Sequence, residues 1–278
     1  MQTPLDYLLI GHVSADLDGA RVRLGGTAAY SGLTASALGC NVGVVTAAAA
    51  DLDLSPLASL SLFVLPSPHS TSFENRATAH GREQVLHRRA TPLTIAQVPD
   101  SWRDADLVHL APIADEVDPE MVRQFPNSFV GVTAQGWLRQ WDETGRVRRK
   151  DFDGIRPALQ AADVVVVSLE DLGGDLARAE AMAACCQVLA VTRAAQGATI
   201  YTGGTSRHVG APPASEIDPT GAGDVFAPAF FLRLKETGDP WQAARIANQL
   251  AAASVTRPGL ASVPTTAEVR QALLPVAS

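Results

Sequence analysis

Apolar residues in this chain fall in short, unbroken runs separated by stretches of mixed character. DYLLIGHVS (6–14), NVGVVTA (41–47), SLFVLP (61–66), ADLVHLAP (105–112), SFVGVTA (128–134) and DVVVVS (163–168) are such runs. Continuous runs rich in β-branched residues predict strands with both faces covered. Segments of helical composition separate several of them. One, TAAYSGLTASALG (27–39), is built of small residues and ends at a capping glycine. The alternation predicts an α/β fold around a mostly parallel sheet flanked by helices, with ligand sites at the carboxyl ends of its strands. After Gln187 the rhythm changes. QVLAVTRA, GATIYTG and SRHVGAP read as short strands, followed by three helices near 221–237, 240–257 and 265–275.

Two polar segments interrupt this pattern, ADLDGARVRLGG (15–26) and TSFENRATAHGREQVLHRR (71–89). Their alternating residues suit short exposed strands that together form a small β lid over the main sheet; composition equally allows two long surface loops. No repeat or low-complexity linker divides the chain, so residues 1–278 read as one domain with the lid segments inserted. A 46% apolar, 18% charged composition fits a globular protein. The net charge of −7 argues against a general nucleic-acid or acidic-membrane binder. The basic runs HRR (87–89) and RVRRK (146–150) read as solvated loop or hairpin faces. MQTPLDYLLIG lacks the basic flank and long apolar region of a signal peptide, and no apolar run approaches the roughly 20 residues that span a bilayer. Cys40, Cys185 and Cys186 lack metal-ligand spacing and read as reduced, so a cytoplasmic location is expected.

The chemistry concentrates in DPTGAGDVFAPAF (218–230). Gly221, Ala222 and Gly223 leave little bulk where a helix is predicted to begin, so an anion could approach the first amides, which lack partners within the helix. Asp224 projects from that first turn, where a carboxylate can take a proton from a hydroxyl attacking phosphorus. The same residue types also have a plain reading, since aspartate complements the helix dipole and small residues permit close packing.

DPTGAGDVFAPAF closely resembles the C-terminal signature of the ribokinase-like, or PfkB, carbohydrate kinases. RLGGTAAYSGLTASALG (23–39) resembles their N-terminal signature, and NQLAAASVTRPGLAS (248–262) their last nucleotide-side helix and loop. The resemblance implies a central sheet with a small β lid and transfer of the γ-phosphoryl of ATP, with Mg²⁺, to a hydroxyl. It makes Asp224 the catalytic base and the amides of Gly221, Ala222 and Gly223, with that of Asp224, the anion hole. Asp16 matches a substrate-binding aspartate, and Gly25 and Gly26 the pair that lets a sugar approach the backbone. On the nucleotide side Thr192 and Gly197 match, although Ala194 replaces a glycine, and Asn248 matches a residue near adenine. Asp218, with the 257–262 loop, matches a region where many members bind a monovalent cation, so K⁺ joins the expected cofactors.

Departures from the family pattern bear on substrate and metal. Ser168 and Asp171, in SLED, stand where relatives carry Asn-x-x-Glu, and Asp171 is expected to reach Mg²⁺ through water. Tyr30 replaces a substrate-binding asparagine, which disfavours ribose-like recognition. Pro228 would remove a hydrogen bond from the new helix. TSFENRATAHGREQ (71–84) and TAQGWLRQWDETG (133–145) are similar to a branch containing myo-inositol kinases and point to Asn75, Gln135 and Arg139 as substrate contacts. The expected protein is a monomeric or homodimeric kinase of a small sugar, cyclitol or nucleoside, acting on neither nucleic acid nor membrane. The alternative is a non-catalytic nucleotide or metabolite sensor on the same fold.

Overall fold

The computed structural model describes residues 4–19, 21–78 and 81–274. Ala20, Ala79 and His80, within the two segments expected to form a lid, lie outside the described residues. The elements follow in the order β1 (Tyr7–Ile10), β2 (Ser14–Asp18), β3 (Arg21–Gly25), α1 (Thr27–Ala37), β4 (Val42–Ala48), β5 (Ser61–Pro66), β6 (Thr71–Thr78) and β7 (Gly81–Arg88). Next come β8 (Leu107–Leu110), β9 (Phe129–Thr133), β10 (Arg139–Trp141), β11 (Val147–Arg149), α2 (Arg156–Ala161), β12 (Val164–Ser168) and α3 (Leu176–Ala183). The chain closes with β13 (Val188–Thr192), β14 (Ala198–Thr202), β15 (Thr205–Val209), α4 (Ala222–Thr237), α5 (Pro240–Ser254) and α6 (Thr266–Leu273).

Nine strands form one sheet in the order β15-β14-β13-β12-β9-β8-β1-β4-β5. From β13 to β5 the neighbours are parallel, while β14 and β15 add an antiparallel edge. Period-two alternation sends the strand residues into two cores. Leu8, Ile10, Val45, Val108 and Val132 join Leu159 of α2 and Met182 of α3 on one face. Tyr7, Leu9, Val44 and Leu107 meet α1, α4 and α5 on the other. Burial on both faces explains why these strands read as continuous apolar runs.

The two polar segments come together as a second sheet, β3-β2-β6-β7, with β2 parallel to β6 and the outer pairs antiparallel. Its inward residues Phe73 and Leu86 pack with Ile113 and Ala114, joined by Trp141 and Val147. The last two belong to an antiparallel hairpin of β10 and β11, so RVRRK is a hairpin strand and its approach. The tip of this hairpin is tied to the lid sheet, because Leu86 donates to the Gly145 carbonyl at 2.8 Å.

Helix α4 accommodates Pro228 in its second turn. A proline there supplies no N–H to the carbonyl four residues earlier, which is that of Asp224. The Ser31 hydroxyl of α1 fills the gap, donating to the Asp224 carbonyl at 2.7 Å. Pro228 thus exposes a main-chain acceptor through which α1 grips the start of α4. Ser31→Ala is expected to cost about 1–3 kcal/mol by stranding that acceptor. On a Pro228→Ala background, where an amide again faces the carbonyl, the same change should cost less. Denaturant unfolding of the four proteins reads both effects, and equal costs on the two backgrounds would refute the account.

Candidate active site

Asp224 sits where the first turns of α1 and α4 meet. Its Oδ1 accepts from the Thr27 hydroxyl at 2.7 Å, and its carbonyl is held by Ser31. Thr27 and Ser31, four apart, lie on one face of α1. The helix begins at Gly221, whose φ of 84° is left-handed, and the Tyr30 ring lies so close that a Cβ at Gly221 would fall 2.5 Å from it. Glycine is required there both for the turn and for the ring. The Ala222 amide turns back to the Pro219 carbonyl at 3.2 Å. Among the described residues the amides of Gly221, Gly223 and Asp224 make no hydrogen bond, which leaves them at the positive end of α4.

The Asp224 carboxylate keeps some contact with solvent but is enclosed at close range by protein. Burial weakens it as an acid and pushes its pKa up to about 6. The Thr27 hydrogen bond and the Arg139 charge work against that rise, while Asp16 and Asp171 add to it. Three carboxylates and one guanidinium therefore interact at this site. Arg139 enters from the start of β10, donates to the Ile113 carbonyl at 3.2 Å, and stacks 5.7 Å from the Phe73 ring of the lid sheet. Burial lowers its affinity for a proton, against the attraction of Asp171, Asp224 and Glu116.

On the lid side, Asp16 lies on β2 and accepts from Ser14 at 2.8 Å. A Cβ at Gly25 would fall 2.3 Å from Asp16 Oδ2, and one at Gly26 would strike the backbone of His12 and Ser14. Gly25 therefore lets the Asp16 carboxylate lie across the neighbouring strand, and Gly26 lets the 12–14 backbone pass close by. Tyr30 is buried between Asp16, Asp224 and Asp218, and burial with their charges raises its phenol well above the ordinary value. Asn75 stands exposed on β6 and accepts from Gln84 across the lid sheet.

The residues expected to contact a nucleotide divide into two groups. Ser168 and Thr192 are register partners at the ends of β12 and β13. The Ser168 hydroxyl donates to Asp171 at 2.5 Å, and Gln135 donates to the other oxygen of Asp171 at 3.5 Å. Among the described residues no cluster of three or more His, Cys, Asp or Glu could hold a metal. One carboxylate with a hydroxyl beside it still suits Mg²⁺, which keeps most of its waters and takes phosphate oxygens. By contrast, Asn248 is buried and donates to the carbonyls of Val209 and Gly210, fastening the end of β15 to α5. Gly197 has φ 96° and its Cβ would collide with the Val209 carbonyl, so it serves a backbone crossing.

Asp218 accepts from the amides of Thr220 (3.0 Å) and Gly259 (3.1 Å), which joins the α4 approach to the 257–262 loop. Burial opposes ionisation there, but these hydrogen bonds prevail and hold Asp218 below the usual carboxylate range. In the same loop Ser262 is buried and its hydroxyl has no partner among the described residues. The orphaned hydroxyl lies on the same loop that Asp218 grips at Gly259, and a hydroxyl and a carboxylate are oxygen donors of the kind a monovalent cation takes. Thr27, Ser31 and Ser262 were not singled out from the sequence. Only the hydroxyl following the Gly-Gly pair offered a local signal for Thr27.

The chain matches the profile of pfkB family carbohydrate kinases over residues 149–267, the stretch that holds Ser168, Asp171, Thr192, Asp218 and Asp224. It is 31% identical over 201 residues to inositol 3-kinase of Zea mays, a match covering 69% of this chain and 51% of that protein. The chain thus spans about half the length of the maize relative. It is 26% identical over 253 residues to cytidine kinase of Thermococcus kodakarensis, covering 81% of this chain and 87% of that one. A solved pyrophosphate-dependent kinase in the ribokinase family, complexed with a pyrophosphate analog and myo-inositol, aligns with 96% of this chain and 100% of its own. The TM-score is 0.80 at 22% identity, which establishes the ribokinase fold. With the fold, the profile match and the curated relatives in agreement, this chain belongs to the ribokinase-like pfkB family of carbohydrate kinases.

Proposed function

We propose that this protein transfers a phosphoryl group from a donor bound across the N-terminus of α4 to a hydroxyl of a small polyol. The observation that carries this reading is Asp224, raised in basicity beside amides that have no partner of their own. Thr27 occupies Oδ1, so Oδ2 is left to receive the acceptor's proton as its oxygen attacks phosphorus. The amides of Gly221, Gly223 and Asp224 face the charge that develops on the transferred group, and Arg139 adds a full positive charge. Asp171 and Ser168 would hold Mg²⁺, which would supply positive charge against the donor phosphates. The donor is ATP. Pyrophosphate is the second reading, prompted by the neighbour whose complex holds its analog.

The acceptor is a cyclitol or a related ring polyol. Asp16 can accept from two adjacent hydroxyls, and Tyr30 offers a single hydroxyl rather than an amide's paired donor and acceptor. Similarity to an inositol 3-kinase supports the same class. Asp218 and the Ser262 hydroxyl of the 257–262 loop would hold K⁺, whose charge would stiffen the approach to α4. No helix among the described residues is long and apolar enough to cross a membrane.

Asp224→Asn is expected to lower kcat by about 10²–10⁴-fold while donor binding persists, the range a positioned base contributes. A coupled assay with ATP or pyrophosphate over inositols, sugars and nucleosides measures it; near-parental turnover would sink the proposed role, and a parent inactive with every acceptor would favour a sensor. Because only the carboxylate form can accept a proton, kcat/KM should fall about tenfold per pH unit below about 6. Arg139→Gln removes the charge favouring the carboxylate, so it should shift this limb to higher pH; a shift downward would contradict the electrostatics. K⁺ should raise the melting temperature of the parent relative to Na⁺, and Ser262→Ala should erase that difference. An unchanged K⁺ effect in Ser262→Ala removes this hydroxyl from the site.

A further inference from the structure

Glu116 is almost wholly buried, yet it belongs to none of the groups discussed above. Its two oxygens receive four hydrogen bonds from main-chain amides. Oε1 accepts from His12 and Ile113, each at 3.0 Å, and Oε2 from Ile113 at 2.9 Å and Ala114 at 2.6 Å. The carboxylate folds back over its own turn because Asp115 takes a left-handed φ of 56°, a conformation that non-glycine residues rarely adopt. Glu116 is the staple that holds this turn closed.

That turn carries the segment from which Arg139 and Gln135 project. The Gly136 amide donates to the Pro112 carbonyl at 2.9 Å, and a Cβ at Gly136 would overlap Pro112 and Ile113 at 2.3–2.5 Å. Trp137 Nε1 donates to the Val117 carbonyl at 2.7 Å. Arg139 itself donates to the carbonyl of Ile113, whose amide Glu116 grips. Three successive moorings therefore rest on a turn fixed by one carboxylate.

The roots of the lid sheet meet at the same point. His12 Nε2 lies 2.9 Å from the Thr91 carbonyl, which can only accept, so the proton is on Nε2. Nδ1 then accepts from the Thr71 hydroxyl at 2.7 Å, and Thr71 Oγ1 accepts from the Ala90 amide at 3.0 Å. Burial keeps His12 neutral, against the attraction of Glu116 and with a smaller push from Arg89. Leu93, beyond the lid, donates to the Glu116 carbonyl at 2.8 Å.

We propose that Glu116 is a positioning residue for phosphoryl transfer, acting through the 112–117 turn to set the guanidinium of Arg139 at the candidate site. This rests on the kinase reading and on the role given there to Arg139. Glutamine at this position puts an NH₂ donor against amides that themselves donate, whichever oxygen it replaces, so the turn loses its staple without losing volume. Glu116→Gln should lower kcat/KM about 10–100-fold, comparable with Arg139→Gln. On the Arg139→Gln background it should lower kcat/KM by less than about threefold more, because residues acting through one another are not additive.

Steady-state kinetics of the four proteins, on the acceptor that the parent uses, tests this, with melting temperatures recorded alongside. Equal factors on both backgrounds, or parental kinetics in either single variant, overturn the proposal. Should Glu116→Gln fail to fold, Glu116→Asp keeps both oxygens one methylene short and carries the same cycle, with a smaller and still non-additive loss expected. A parent enzyme with no transferase activity overturns the kinase reading itself, and this role with it.

Discussion

The candidate site depends on the junction of two helix N-termini around one carboxylate. Helix α1 holds Asp224 twice, at its side chain through Thr27 and at its carbonyl through Ser31. The second hold exists because Pro228 cannot satisfy that carbonyl. A helix-breaking residue thus becomes part of the mounting. The amides of Gly221, Gly223 and Asp224 stay unpaired because Gly221 bends the chain into the helix without a capping side chain. Fixing the carboxylate and leaving amides without partners are two outcomes of one backbone path.

Electrostatics then sets how Asp224 behaves. Burial and two nearby carboxylates favour its protonated form, and Thr27 with Arg139 favours the ionised form. The balance near 6 leaves it ionised at neutral pH and still basic enough to accept a proton. Arg139 is surrounded by acidic groups and makes one hydrogen bond among the described residues, to the Ile113 carbonyl. Its remaining donors suit an incoming anion, whose charge would offset the crowding of carboxylates.

Much of this architecture could be read from the chain because the signals are local. Parallel strands announce themselves as unbroken β-branched runs, and TGAGD places its glycines beside its carboxylate. The polar segments 15–26 and 71–89 revealed strand character through alternation, although their pairing needed the structure. What stayed hidden depends on distant partners. Thr27 meets Asp224 across 197 residues, and Glu116 meets His12 across 104. Asn248 shows the converse. Its sequence neighbourhood resembles a nucleotide contact, but the fold places the β15 carbonyls against its amide. Pro228 looked like a liability until Ser31 came into view on another helix.

The hub beneath the lid also explains why such different segments can act together. His12 precedes β2, Thr71 opens β6, Ala90 and Thr91 leave β7, and Glu116 anchors the mount of Arg139. Three of these hydrogen bonds are buried and the one to Thr91 is partly buried, and leaving a buried one unmade would strand a polar group away from water. A displacement of the lid roots is therefore opposed at the same buried atoms that hold the turn beneath Arg139. Phe73 closes the circuit from the other side, because the lid strand that begins at Thr71 lays its ring against the guanidinium. The lid sheet and the Arg139 guanidinium share one mechanical support, so a change that loosens either loosens both.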